Sequence, residues 1–182
     1  MTAIRLTACK NQIRSQLQRG CMKKSAVISD CEKYRYQLIR QWDDNKNLAL
    51  FIGLNPSIAD DEIDDPTIRR CIGFAKRERF GGFIMANLFA YRATSPCDMK
   101  SAGQPVGELN EYWLEQSISS CKVVIVCWGG NGSHLDRHIE VNELLKKHAN
   151  NTPILCFGKT KAGQPKHPLY LASNTELINY FN

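Results

Sequence analysis

The sequence predicts an α/β fold: a three-layer sandwich with a central, mostly parallel four-stranded sheet and an added N-terminal edge strand or hairpin. Three observations predict it. Four short apolar runs recur along the chain: LALFIGL (48–54), GFIMANLF (82–89), KVVIVCWG (122–129) and PILCFG (153–158). Three of the four are continuous rather than alternating, the pattern of strands covered on both faces. The segments between them are long enough to be crossover helices, so the strands are expected near 48–54, 82–89, 121–128 and 153–158 with helices on both faces.

Each element has its own signal. YRYQLIRQW (34–42) fits strand alternation through Tyr34, Tyr36 and Leu38, and a helix through Tyr34, Leu38 and Trp42. The DDNKN link to the first buried run is so short that it favours an antiparallel hairpin, with 34–42 as an edge strand. LALFIGL then ends in Gly53-Leu54-Asn55-Pro56-Ser57, a polar amide in restricted geometry where a buried strand needs only a turn. DPTIRRCIGFAKRERF opens a helix with Asp65 as N-cap and Pro66 behind it. VGELNEYWLEQSISSC and HLDRHIEVNELLKKHAN carry apolar residues at helical spacing. SNTELINYF has a Ser or Asn cap and is expected as a short final helix. AGQP occurs at 102–105 and 162–165, a repeated turn and not a repeat architecture.

Composition narrows the function classes. At 182 residues the chain is long enough for one domain with a real core. No apolar run approaches a membrane span and the first residues lack a signal-peptide h-region, so no membrane partner and a cytoplasmic location are expected. The eight cysteines show no C-x-x-C pair; free thiols are expected, with Cys127 and Cys156 as small core residues. The net charge of +6 is uneven: Arg5, Lys10, Arg14 and Arg19 lie in residues 1–21 without an acid, which leaves 22–182 at only +2. Residues 1–21 read as a poorly ordered basic extension, with Met22 a plausible alternative start, and 22–182 as the single α/β domain.

Ligands bind outside the carboxyl ends of the strands in an open parallel sheet. Chemistry-bearing residues gather there: Asn55-Pro56-Ser57, then Asn87 with Phe89, Tyr91 and Arg92, then Trp128-Gly129-Gly130-Asn131-Gly132-Ser133, then His167-Pro168-Leu169-Tyr170. Glycines let backbone N–H groups approach a phosphate. Amides read the edge of a base and aromatic rings stack on it.

The order of these segments resembles the uracil-DNA glycosylase superfamily. GLNPS is similar to the Asn-Pro form of its first motif, as in the mismatch and thymine glycosylase branch; ANLFAYR offers an asparagine after the next strand; VCWGG ends a later one; KHPLYL is similar to its histidine segment. LNPSIADDEIDDPTIRR, NLFAYRAT and HPLYL resemble more narrowly a bacterial and phage family of unknown function, over about residues 30–172. The resemblance implies hydrolysis of the N-glycosidic bond of a modified or mismatched base flipped into a pocket. Asn55 would hold the attacking water and His167 would stabilise the departing base. Asn87 would pair with the base edge, and Phe89 or Tyr91 would stack on it. Trp128 would line the pocket, and Ser57, Arg69, Arg70 and the loop Gly129, Gly130, Asn131 and Ser133 would contact phosphates. DNA, RNA or a nucleotide is the implied partner, without a cofactor or metal. The chain departs from the pattern at Leu54, whose side chain cannot polarise water, at Ser57, and at Leu169 and Tyr170 in the histidine loop.

Two other classes stand beside the glycosylase. One is a binding module that keeps the base pocket without the chemistry. The other is a different nucleotide-processing enzyme using a metal and the acidic run of residues 60–65, with Asp60 or Asp64 as base or ligand. His134 and His138, one helical turn apart, have zinc-compatible spacing but no evident third ligand.

Overall fold

A computed structural model describes residues 22–149 and 151–181. The basic extension, residues 1–21, lies outside them. The chain forms β1 (Lys23–Ile28), β2 (Arg35–Gln41), β3 (Leu48–Gly53), α1 (Pro66–Arg77), β4 (Gly82–Asn87), α2 (Pro96–Ser101), α3 (Asn110–Ser120), β5 (Val124–Val126), α4 (Arg137–His148), β6 (Ile154–Cys156) and β7 (Ile178–Asn179). No helix among the described residues is long and apolar enough to cross a membrane.

The fold is α/β, with one mixed sheet of seven strands in the order β1-β2-β4-β3-β5-β6-β7. The four expected strands form its parallel centre, β4-β3-β5-β6. The flanks correct the expectation of a four-stranded sheet: β2 pairs antiparallel with β4, β1 with β2, and β7 with β6. β2 is not an edge strand and does not pair with β3. It lies between β1 and β4, and Arg35 through Leu38 are buried. The expected final helix is instead the short strand β7, because Ile178 and Asn179 find a free edge at Cys156 and Leu155. β5 and β6 are three residues each, shorter than their apolar runs.

Both faces of the sheet are covered, as continuous apolar strands require. On one side Ala49 and Phe51 of β3, Phe83 and Met85 of β4, and Ile125 of β5 meet Ile68, Cys71 and Phe74 of α1. On the other, Leu50, Ile52, Ile84, Ala86, Val124 and Val126 meet Leu114 and Ile118 of α3 and Val141 and Leu145 of α4. β3 is followed by β4 on one side of it and by β5 on the other, with the crossover helices on opposite faces. This is what right-handed crossovers demand. Asp65 caps α1 as expected, its Oδ1 accepting from the Ile68 N–H at 2.8 Å. The six cysteines among the described residues are free thiols, and Cys127 and Cys156 are buried.

The acidic run is held by a buried arginine. The fully buried Arg40 donates through Nε to Asp64 at 2.7 Å and through Nη2 to the carbonyls of Asp60 and Ile63. Lys24 adds a second contact to Asp64. The Asp60 carboxylate accepts from the backbone N–H groups of Glu62 and Ile63, and these hold its pKa below the ordinary value. These side chains fasten the loop between β3 and α1.

This arrangement predicts that Arg40→Met lowers unfolding free energy by about 2–4 kcal/mol, because it leaves the partly buried Asp64 carboxylate and two loop carbonyls without their donor. Lys23→Met, which breaks an exposed pair with Asp44, changes it by less than about 1 kcal/mol. Urea denaturation of the two variants checks both; equal effects would contradict the assignment.

Candidate functional site

The carboxyl ends of β3 and β5, with the loops that follow them and β6, enclose a cleft of about 650 Å³. It lies between β3, whose connection runs to β4, and β5, whose connection runs the other way to β6, the place such sheets bind ligands. Of the residues anticipated from sequence, Asn55, Ser57, Trp128, Gly129, Gly130, Asn131 and His167 line it together.

Asn55 stands immediately past β3. Both hydrogens of its amide nitrogen are taken by carbonyls, of Ala93 at 2.7 Å and Pro56 at 3.0 Å. These partners fix which way the amide points. What it has left to offer is its Oδ1, an acceptor.

His167 lies on the loop after β6 and caps a 3-10 turn, Pro168–Tyr170, with Nδ1 accepting from the Leu169 N–H at 3.4 Å. A ring whose Nδ1 accepts carries its proton on Nε2 in the neutral form. Burial pushes its pKa below the ordinary 6.5, against a smaller upward pull from the negative charge of Asp65. The imidazole is therefore a neutral donor at pH 7.

The loop after β5 is shaped by contact. Trp128 is buried and donates from Nε1 to Gln164 Oε1 at 2.7 Å, which ties β5 to the loop that carries His167. Gly132 sits on the indole so closely that a Cβ there would come within 2.0 Å of Trp128 Cδ1. Gly129 has φ +74°, and a Cβ on it would reach within 3.3 Å of His167 Cβ. A side chain at either position would displace the cleft wall. Asn131 Oδ1 accepts from Lys100 Nζ at 2.8 Å at the rim.

The other anticipated residues lie elsewhere. Asn87, at the end of β4, is buried on the α1 side of the sheet beside Gly53, and its Nδ2 has no partner. Phe89 is fully buried in the core, with its ring 5.6 Å from that of His134; no face of it is open for stacking. Tyr91 lies in an adjoining groove and packs edge-on against Tyr34. Arg69 is exposed and bonds the Asp64 carbonyl. Arg70 bonds the Leu171 carbonyl, binding α1 to the histidine loop, and lies over the Phe74 ring. Ser133 is exposed outside the cleft. These two arginines thus hold backbone where phosphate contacts were expected.

The acidic residues also separate. Asp60 and Asp64 do not line the cleft, whereas Asp65 does, and it is 5% exposed. It is the cleft's single acidic residue among the described residues. Oδ1 caps α1, Oδ2 has no hydrogen bond among the described residues, and the carboxylate lies within the field of the buried Arg35. The capping signal in the sequence concealed this second position. His134 and His138 do not form a one-turn pair: His134 has extended backbone (φ −58°, ψ 129°), and Leu135 and Asp136, both at φ +53°, break the chain before α4 begins. No cluster of three or more His, Cys, Asp or Glu suited to a metal occurs among the described residues.

The neutral donor state of His167 predicts an imidazole titration, followed by NMR of its ring, with a midpoint below 6.5. A depressed folded value means that the linked stability is fully present above 6.5 and declines as pH falls through the folded midpoint. Asp65→Asn removes the opposing charge and moves the midpoint lower still. A midpoint at or above 6.5 would contradict this description.

A family model described as "Protein of unknown function (DUF1643)" matches residues 35–169, most of the chain, and the chain belongs to that family. No curated protein and no solved structure matches the chain.

Proposed function

We propose that this DUF1643 protein takes a nucleobase into the cleft between Asn55 and His167 and hydrolyses its N-glycosidic bond, in the manner of the uracil-DNA glycosylase superfamily. The observation that carries the reading is the opposite polarity of these two side chains in one cleft. Asn55 offers only an acceptor, and neutral His167 only a donor from Nε2. Attack by water and departure of a base need one of each.

A water donates one hydrogen to Asn55 Oδ1 and its oxygen attacks the anomeric carbon. The carbon–nitrogen bond breaks and its electron pair leaves with the base. His167 Nε2–H hydrogen-bonds the charge that develops there, which is electrostatic stabilisation by a preplaced donor. The free oxygen of Asp65 faces the positive charge that builds on the sugar and takes the proton that water loses. Asp65 thus supplies the carboxylate that Leu54 lacks. Asn87 keeps a buried amide nitrogen without a partner, a state that calls for a ligand or water, and it adjoins Gly53 at the end of β3.

A nucleobase-binding module without catalysis is the second reading. Leu54 beside Asn55 favours it, since that side chain cannot polarise water; the net charge of only +2 over residues 22–182 bears on the ligand under either reading, since a tight binder of duplex DNA shows a clear basic face.

Base release from oligonucleotides containing uracil, hypoxanthine, mismatched thymine and hypermodified pyrimidines separates the readings. The expected outcome is release from at least one substrate, reduced by about 10²-fold or more in Asn55→Ala with binding largely unchanged. Binding without release from any substrate would leave the module reading in its place.

A further inference from the structure

We propose that the groove adjoining the cleft is a phosphate site, so that the ligand is a nucleotide or a strand rather than a free base or nucleoside. The span of that ligand rests on the nucleobase reading of the cleft; the phosphate site rests on the groove itself. The groove has a volume of about 340 Å³ and shares Ser57, Ala93 and Thr94 with the cleft, so a chain leaving the cleft over that wall enters it.

Charge divides between the two hollows. The cleft sets one carboxylate, Asp65, against one lysine, Lys166, and its histidine is neutral. The groove holds Lys33 and Arg92 against Glu32. Arg92 makes one side-chain hydrogen bond, from Nη1 to the Glu32 carbonyl at 3.2 Å, which leaves most of the guanidinium fork unused. Neither Lys33 nor Arg92 has an ion-pair partner among the described residues. Ser57 and Thr94 add hydroxyl groups on the shared wall. Two unpaired cations beside hydroxyls fit a phosphate, and an arginine fork fits it best.

The groove also has an apolar side. Ile58 is 59% exposed there and Tyr91 is half-buried beside it, which suits the sugar of a neighbouring nucleotide. Arg69 and Arg70, the residues expected from sequence to meet phosphate, are occupied with carbonyls of the acidic run before α1 and of the histidine loop. The groove supplies the contact they do not.

The test begins with inorganic phosphate, titrated into the protein while the backbone amide spectrum is recorded. The expected result is saturable shifts at Lys33, Ser57, Arg92 and Thr94, lost in the double variant Lys33→Gln, Arg92→Gln. A nucleoside is then compared with a dinucleoside monophosphate containing it. The phosphate-linked ligand is expected to bind about tenfold more tightly, with a salt dependence that shallows by about one to two charges in the double variant. That preference falls to near one while nucleoside affinity is unchanged. Lys33→Gln alone, at an exposed position, gives a smaller change in the same direction should the double variant fold poorly. Phosphate that shifts no groove amide, shifts that survive the substitutions, or equal binding of the two ligands by the natural protein would each overturn the phosphate site. Phosphate in the groove with no nucleoside in the cleft would keep the site and remove the nucleobase reading.

Discussion

The parallel pairing of β3 on both sides is the constraint from which the rest follows. Leu50, Phe51 and Ile52 align with Ile84, Met85 and Ala86 of β4, and with Val124, Ile125 and Val126 of β5. Because the connection from β3 runs to β4 and that from its other neighbour β5 runs to β6, the loops at the carboxyl ends of β3 and β5 diverge. A crevice opens above Gly53, and the residues that end β3 are carried into it. The continuous apolar run of β3 and the polar Asn-Pro that ends it are two sides of one requirement. The strand is buried on both faces, and its end is the floor of the cleft.

The cleft walls are bound to one another by contacts that leave the chemistry-bearing atoms free. Asn55 is held through its nitrogen by Ala93, in the segment after β4. Trp128 is held by Gln164, Gly129 packs on His167, and Arg70 fastens the histidine loop to α1. Loops from separate parts of the chain are therefore fastened into one wall. Side chains whose rotamers are fixed by such second contacts lose little freedom when a ligand arrives. The free acceptor of Asn55 and the free donor of His167 are what these contacts leave over.

The central strands were legible in the sequence because burial on both faces writes a continuous apolar run. The helix at Pro66 was legible because Asp65 and Pro66 are local signals. β1 was not: KKSAVI has a polar start and a mixed pattern, and it is a strand because β2 offers a free edge. SNTELINYF carried a capping residue, but Ile178 and Asn179 within it found the edge of β6. Pairing with a distant partner outweighed local propensity in both. In the site, Asn55 and His167 were legible because each follows a strand and precedes or joins a proline turn. Phe89 and Tyr91 were not separable in sequence from a stacking platform, since only packing decides which aromatic faces a cleft. Arg69 and Arg70 show no sign in sequence that their donors are taken by backbone. Asp65 was hidden by its own capping role: one oxygen satisfies the helix and the other is left for the cleft.

The most direct measurement of the central claim is a crystal structure of the protein with a nucleoside or a base-containing dinucleotide bound. The account predicts a base in the cleft above the ends of β3 and β5, with His167 Nε2 within hydrogen-bond distance of a base oxygen. A water should lie against Asn55 Oδ1, on the side of the sugar opposite the base. A ligand seated outside the cleft, or a base with its edge turned away from His167, would contradict it.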